Sequence, residues 1–278
     1  MDGARAFYGD LFGGGFWDDG VDVVPLPPAA AARGAPAHWL GHIGVEDVVP
    51  PMYRFLEAGA KRLSPPSADG RDDAGVVLND PFGAKLALMP ARSTPQTGRV
   101  AWHLLTTRDE TQAMELYAGI FGWTPLDHQD LGERGRHVTF TWDGSRRPVG
   151  STCDIARRPH VHAQWLFFFR TPDLDAALVR VRALGGLTLP ATTTAEGARV
   201  AACDDPQGAA FGLYESVAGG TRRTSYRSAS APPALGNERA LPTGGRGTVS
   251  IMRPSGVTNV RAPNASRSPA TLPSCTSV

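Results

Sequence analysis

Two stretches of this chain share one layout. Trp39-Leu40 stands eight residues before Asp47-Val48 and opens a run that ends Ala58-Gly59-Ala60. Trp165-Leu166 stands eight residues before Asp173-Leu174 and opens a run that ends Leu184-Gly185-Gly186. Both continue to an Asp-Pro-x-Gly-Ala turn, at Asp80-Pro81-Phe82-Gly83-Ala84 and at Asp205-Pro206-Gln207-Gly208-Ala209. The offset is 126 residues at the start and 125 at the turn. Internal duplication constrains a fold more tightly than composition does, because each copy is a supersecondary unit that buries its apolar face against another unit.

A second phrase recurs at a constant offset of 109: Ala4 to Gly13 matches Ala113 to Gly122. The later copy follows Val100 to Leu105, a run with the character of a strand. Ala113, Leu116, Tyr117 and Ile120 fall at helical spacing over Thr111 to Phe121. Asp109, or Thr107 before it, suits the N-cap, and Gly122 suits the C-cap, where φ is positive. Strands are expected at Val138 to Trp142 and Val149 to Asp154, around the turn Asp143-Gly144-Ser145. Further on, the pattern predicts a strand over Gln164 to Phe169 and a helix over Leu174 to Leu184. Strands follow at Leu187 to Pro190, Arg199 to Cys203 and Phe211 to Tyr214. Asp205-Pro206-Gln207-Gly208 is a turn in which Pro presets φ and Gly tolerates the last bend. Each complete phrase thus reads strand, helix, then two or three strands, which is an α+β pattern.

The helix ends "FYGDLFG" and "LYAGIFGW", the Trp-Leu-Asp strand starts and the two "DPxGA" turns resemble the vicinal oxygen chelate superfamily. That superfamily includes glyoxalase I, bleomycin- and fosfomycin-resistance proteins and extradiol dioxygenases. Over about residues 1–217 the layout is most similar to two-domain bacterial glyoxalase-like proteins related to a mycobacterial secreted antigen. The resemblance implies tandem βαβββ modules, two per domain, that face each other around a cavity. It divides the chain into an N-terminal domain at 1–90, a linker at 91–97, a C-terminal domain at 98–217 and a tail at 218–278. The first module is shortened. By the offset of 109, Met1 falls opposite Glu110, so the strand matching Val100 to Leu105 has no counterpart. Only Gly13 to Trp39 stands where the later copy has Gly122 to Trp165. The first domain is therefore expected to leave an open sheet edge that must be covered or paired.

In metal-dependent members of the superfamily, the resemblance implies a His seven residues before the strand-end Asp and a Glu seven residues after the Asp of the turn. Two such pairs form a nitrogen and oxygen site for a divalent first-row metal. Here these positions hold Trp102, Leu166, Leu40, Ala87 and Gly212, none of which ligates a metal. His103 is one residue out of register and so lies on the opposite face of its strand. His42 shares the face of Leu40 and points toward the first cavity. His160 and His162 flank Val161 in an expected loop, and His128 and His137 have no partner pattern. No metal and no cofactor is expected.

On the face of Trp102 lie Leu104 and Thr106; on the partner strand lie Leu166, Phe168 and Arg170. With Gly212 they give an apolar, aromatic cavity wall, suited to a small, flat or partly hydrophobic molecule. Arg170 either orients a carboxylate or phosphate or extends to solvent. Phe167, Phe168 and Phe169 together imply a strand covered on both faces, by a helix and by the cavity or its filling. Trp102 as a plug of that cavity is the competing reading.

No nucleophile elbow, P-loop or dinucleotide fingerprint is present. Gly13-Gly14-Gly15 leads into aromatic and acidic residues rather than a helix. Cys153, Cys203 and Cys275 form no CxxC pair and read as reduced thiols, the first two buried on strands. Residues 218–278 carry eight Arg and one acid, Glu238; residues 1–217 hold 20 basic and 26 acidic side chains. The folded part is acidic, which argues against nucleic acid. The tail is poor in apolar residues and is expected to be disordered; out-of-frame sequence past Ser216 is the alternative. No apolar run approaches the roughly 20 residues that span a bilayer, so no membrane partner is expected.

Three functions remain open: a metal-free small-molecule-binding module, a metal-dependent lyase, isomerase or dioxygenase, and a decayed or interaction-only protein. The first is preferred, in a cytoplasmic monomer or homodimer. Whether the protein is an enzyme is left open.

Overall fold

In a computed structural model of the protein, which describes residues 2–18, 21–65, 75–91, 99–194, 197–216 and 247–253, the repeated phrases build two β-sheets that pack on one another. The first half runs α1 (Asp2–Phe12), a short 3-10 helix (Gly14–Asp18), β1 (Val21–Pro25), α2 (Pro28–Ala32), β2 (His38–Val45), α3 (Val49–Glu57), β3 (Lys61–Arg62), β4 (Val76–Asn79) and β5 (Lys85–Pro90). The second half runs β6 (Val100–Thr106), α4 (Glu110–Phe121), β7 (Thr124–Asp130), β8 (Arg136–Thr141), β9 (Gly150–Cys153), β10 (Gln164–Arg170), α5 (Leu174–Ala183), β11 (Leu187–Thr188), β12 (Thr192–Thr193), β13 (Arg199–Asp204) and β14 (Ala210–Glu215). One strand of the tail, β15 (Gly247–Arg253), joins the first sheet. The fold is α+β, as the phrases predict.

Local chemistry explains why the second half follows its sequence closely. The Asp109 carboxylate accepts from the N–H of Gln112 and caps α4, and Gly122 ends that helix at φ 72°. Asp173 caps α5 in the same way through the N–H of Ala176. Each satisfies a backbone donor that a helix start leaves unpaired. Both repeated turns close around their Asp. Asp80 accepts from the N–H groups of Phe82 and Ala84, and Asp205 from those of Gln207 and Ala209. Gly83 and Gly208 sit at φ 106° and 83°, a conformation that favours glycine.

The nine-stranded sheet has the order β11-β13-β14-β10-β6-β9-β8-β7, with β12 on β13. Its two modules meet where β10 runs antiparallel to β6, pairing Phe168 with Trp102. On the other side β10 runs parallel to β14, pairing Phe168 with Gly212. The six-stranded sheet has the order β1-β15-β2-β5-β4-β3. There β2 runs parallel to β5, pairing His42 with Ala87. β15 runs antiparallel to β2 and parallel to β1, the directions in which β6 meets β10 and β9.

Three expectations need correction, and one is met. The tail is not irregular throughout: residues 247–253 form β15. Averaged composition hides the run Thr248-Val249-Ser250-Ile251, whose β-branched residues favour a strand once two open edges offer main-chain pairing. The edge of β2 left by the missing first strand is paired by β15, as such an edge requires. The glycines at 13–15 lead into one turn of 3-10 helix, not an irregular run. The outer face of β10 is covered largely by the first half, with α4 contributing Tyr117 against Trp165. The Phe167 ring reaches Gly41, where an added Cβ would come within 2.8 Å of it, and Phe169 packs against Trp39, Phe12 and Phe16. The tail outside β15 and the linker at 92–97 lie beyond the described residues, as does Cys275.

Two reciprocal hydrogen bonds tie the halves together. The Tyr8 hydroxyl donates to Asp205 at 2.9 Å, and the Tyr117 hydroxyl donates to Asp80 at 3.1 Å. Tyr8 and Tyr117 are copies of one another, as are the two aspartates, so each half's helix reaches the other half's turn. Burial raises the Asp80 carboxyl pKa, and burial followed by the Asp80 charge pushes the Tyr117 hydroxyl well up. Among the described residues no helix is long and apolar enough to cross a membrane.

Candidate functional site

The face of the second sheet turned away from the first half carries the candidate wall. Alternation along β10 puts Leu166 and Phe168 on this side and Trp165, Phe167 and Phe169 on the other, and all five are buried. Leu104, Leu166 and Phe168 pack with Cys153, Ile155 and Val200, and Trp102 and Tyr214 lie against that cluster. Gly212 is where the Phe168 ring rests. A Cβ there would come within 2.1 Å of the ring, so the absence of a side chain makes the packing possible. The apolar half of the wall is therefore solid core.

The open space lies to one side, as a cavity of about 190 Å³ over the strands of the first module of this half. Trp102 and Tyr214 supply its aromatic side, and His137, Thr139 and Ser151 supply a polar floor. Arg134 and Thr194 also line it. The indole Nε1 of Trp102 and the hydroxyl of Thr194 are buried there and have no hydrogen-bond partner among the described residues. A buried donor without a partner costs about 1–3 kcal/mol, so two at one cavity mark a wall that a ligand or water completes.

His137 has partners on both ring nitrogens. Its Nε2 is 3.2 Å from the Arg134 carbonyl, and its Nδ1 is 3.2 Å from the Ser151 hydroxyl. A carbonyl only accepts, so Nε2 carries the proton of a neutral ring and the Ser151 hydroxyl donates to Nδ1. Burial is the largest influence on His137 and lowers its pKa, which keeps the ring neutral at pH 7. A neutral imidazole beside a hydroxyl at a cavity can move a proton. Alone among the histidines it could serve this cavity, and sequence reasoning passed over it. The signal was its alternation with Thr139 on β8, across from Ser151 and Cys153.

The eight residues singled out from sequence do not form one constellation. Trp102 lines the cavity. Leu104, Leu166, Phe168 and Gly212 form the packed layer beside it. Thr106 is fully buried and donates to the His162 carbonyl at 2.8 Å, which makes it a structural tie. Arg170 is exposed at the end of β10 and lines neither this cavity nor the cleft described below. His42 lies in the first half, half-buried on the Leu40 face of β2. His103 faces the other way, into the contact between sheets. There it packs against Trp142 and Phe167, and burial lowers its pKa to about 4.

Among the described residues no cluster of three or more His, Cys, Asp or Glu is placed to hold a metal. At the positions where the superfamily's ligands would stand, Gly212 lies under the Phe168 ring, Leu166 belongs to the same packed cluster and Trp102 lies against it. The donor set does not fit a metal ion. Cys153 and Cys203 are buried thiols, of which Cys153 donates to the Arg134 carbonyl, and burial pushes Cys203 up to about 12, far from the range of a reactive thiolate.

Residues 99–213 match the family described as Glyoxalase/Bleomycin resistance protein/Dioxygenase superfamily. Over 240 residues the chain is 28% identical to the "Putative glyoxylase CFP32" of Mycobacterium bovis, covering 76% of this chain and 89% of that protein. It is 32% identical over 132 residues to the anthracycline biosynthesis protein DnrV of Streptomyces peucetius, covering 42% of this chain and 46% of that protein. Among solved structures, methylmalonyl-CoA epimerase from Mycobacterium tuberculosis aligns with a TM-score of 0.35 at 18% identity, covering 45% of this chain and 95% of that one. The 2,3-dioxygenase LapB from Pseudomonas sp. KL28 aligns with a TM-score of 0.43 at 10% identity, covering 63% and 70%.

Proposed function

We propose that this chain, which carries a domain of the glyoxalase/bleomycin resistance protein/dioxygenase superfamily over residues 99–213, is a metal-free small-molecule-binding protein whose ligand sits beside Trp102. The observation that carries this reading is the cavity of about 190 Å³ with two buried, unpartnered polar atoms in its wall. The filled ligand positions around Phe168 support the metal-free part. The volume is below the roughly 300–1,000 Å³ of drug-sized pockets, so the ligand is about the size of a single ring. It stacks on Trp102 or Tyr214 and bonds to Ser151, Thr194 or the indole N–H. The names of the mycobacterial and Streptomyces relatives accord with a small organic ligand. We place the protein in the cytoplasm, where the buried thiols remain reduced.

Two measurements test the reading. Metal analysis of purified protein should find Fe, Mn, Ni and Zn well below one equivalent; a stoichiometric ion that survives dialysis against chelator contradicts it. Ligand-observed NMR against small aromatic and dicarbonyl compounds should return binders whose signal disappears with Trp102→Ala. Hits that bind this variant unchanged would place the ligand elsewhere.

A metal-free acid–base reaction is the second reading, and the His137–Ser151 pair favours it. Turnover of a bound compound that is lost in His137→Gln, with binding retained, would select it over binding alone.

A further inference from the structure

A larger space lies between the two halves, with a volume of about 730 Å³. One wall comes from the first half: the segment Ala35–Trp39, the turn at Phe82 and Gly83, and Lys85. The other comes from the second half: the loop at 160–164, Leu166, and the β11–β13 edge from Leu187 to Asp204. The halves close on each other at Gly83, where a Cβ would lie 3.5 Å from that of Ala163. This cleft is distinct from the cavity beside Trp102, with which it shares no lining residue.

Three observations give the cleft a chemical preference. First, its exposed cations, Lys85 and Arg108, have no ion-pair partner among the described residues. Three imidazoles, of His38, His160 and His162, add further hydrogen-bonding groups. Second, the indole of Trp39 is 4% exposed and lines the cleft, yet its Nε1 is buried without a partner among the described residues. Its copy in the second half, Trp165, donates to the Tyr117 hydroxyl at 3.3 Å. The two copies thus differ at this wall, where the Trp39 ring packs against Tyr8 and Phe169. Third, apolar surface runs beside these donors. Leu187 is 55% exposed, and Val161, Leu166 and Phe82 join it in the lining. His160 holds φ 67°, the one positive φ at a residue other than glycine among the described residues. Such a conformation has a cost that recurs at binding sites.

The one acid on these walls is Asp204. Burial, and then the neighbouring Asp205, raise its pKa, which weakens its repulsion of an anion.

We propose that the cleft between the halves binds an oxyanion carried on an apolar body, such as an aromatic carboxylate. The anion lies by Lys85 and Arg108, and the body lies along Val161 and Leu187. The inference is independent of the ligand proposed at Trp102.

The test uses the full chain with 2-naphthoate as the probe and its neutral amide as the comparison, followed by the indole N–H resonances in a 15N–1H spectrum. The Trp39 resonance is assigned from a Trp39→Phe spectrum. We expect it to move on titration with naphthoate, and we expect the amide to bind more weakly. We expect Lys85→Glu combined with Arg108→Glu to weaken naphthoate binding about tenfold or more and to leave amide binding unchanged. Both side chains are exposed, so their reversal tests charge rather than packing. The proposal is overturned if Trp39 does not respond at millimolar probe. Equal affinity of acid and amide in the wild-type protein would also overturn it, as would naphthoate binding the reversed variant as tightly as the wild type.

Discussion

In the second half the ring of Phe168 lies over Gly212; in the first half the same two register positions hold His42 and Ala87. The copies share their turns, helix ends and strand directions, yet each has filled its sheet face differently. The same holds for the tryptophans, since Trp165 gives its N–H to Tyr117 and Trp39 has no such partner. It also holds for the strand beside each module junction, which is β6 in one sheet and the distant β15 in the other. Backbone features that close a turn or cap a helix tolerate little change. Face residues need only fill volume, so they diverge first. The duplication thus preserves a frame while the sheet faces of its two copies differ.

The comparison breaks most visibly if β15 is removed. Deleting residues 218–278 would leave β1 and β2 without the strand between them. Hydrogen exchange should then show loss of protection in β1 and β2 while β6 and β10 keep theirs. Unchanged protection in the first sheet would mean that β15 does not serve the role of β6. A smaller effect is expected at the packed face. Gly212→Ala should destabilise the protein by about 1–3 kcal/mol through overpacking against Phe168. Made in a Phe168→His background, the pair copies His42 and Ala87, and the Ala substitution should then cost at least about 1 kcal/mol less. Additive losses in urea unfolding would show that the two faces are not interchangeable in this way. The smallest effect concerns the cross-ties. Tyr8→Phe should cost about 1 kcal/mol and Tyr117→Phe about 2 kcal/mol, because the second change also strips the acceptor from Trp165. Equal losses would argue that the indole bond contributes nothing.

Much of the frame was legible in the chain. Asp109, Gly122 and the two DPxGA turns act within a few residues of themselves, so sequence spacing located them. The alternation on β10 correctly separated Phe168 from its neighbours. The candidate site was read less well. Leu104, Leu166 and Phe168 were assigned to a cavity wall, but they fill the space and leave the opening over β8 and β9, where His137 and Ser151 meet. That pairing depends on the register of two strands joined by a loop at 142–149; the turn at Asp143-Gly144-Ser145 marks the hairpin but does not set which residues face each other. Thr106 looked like a wall residue and is instead a tie to the His162 carbonyl. The tail strand was missed because seven residues of β character were averaged into a long Arg- and Pro-bearing segment.

By itself the sequence determined the repeated α+β frame, the turn residues and the α4 caps, and it shows side chains that cannot ligate a metal at the positions the resemblance would assign to one. These follow from short-range rules: glycine at positive φ, carboxylates over free N–H groups, and side-chain types that either ligate a metal or do not. Only the tertiary structure decided where empty space remains. It placed one cavity beside Trp102 and a larger cleft between the halves, left the Trp39 indole N–H without a partner among the described residues, and brought a distant strand into the first sheet. Volume, register and the pairing of buried donors are sums over residues far apart in the chain. They become definite only once both halves are packed.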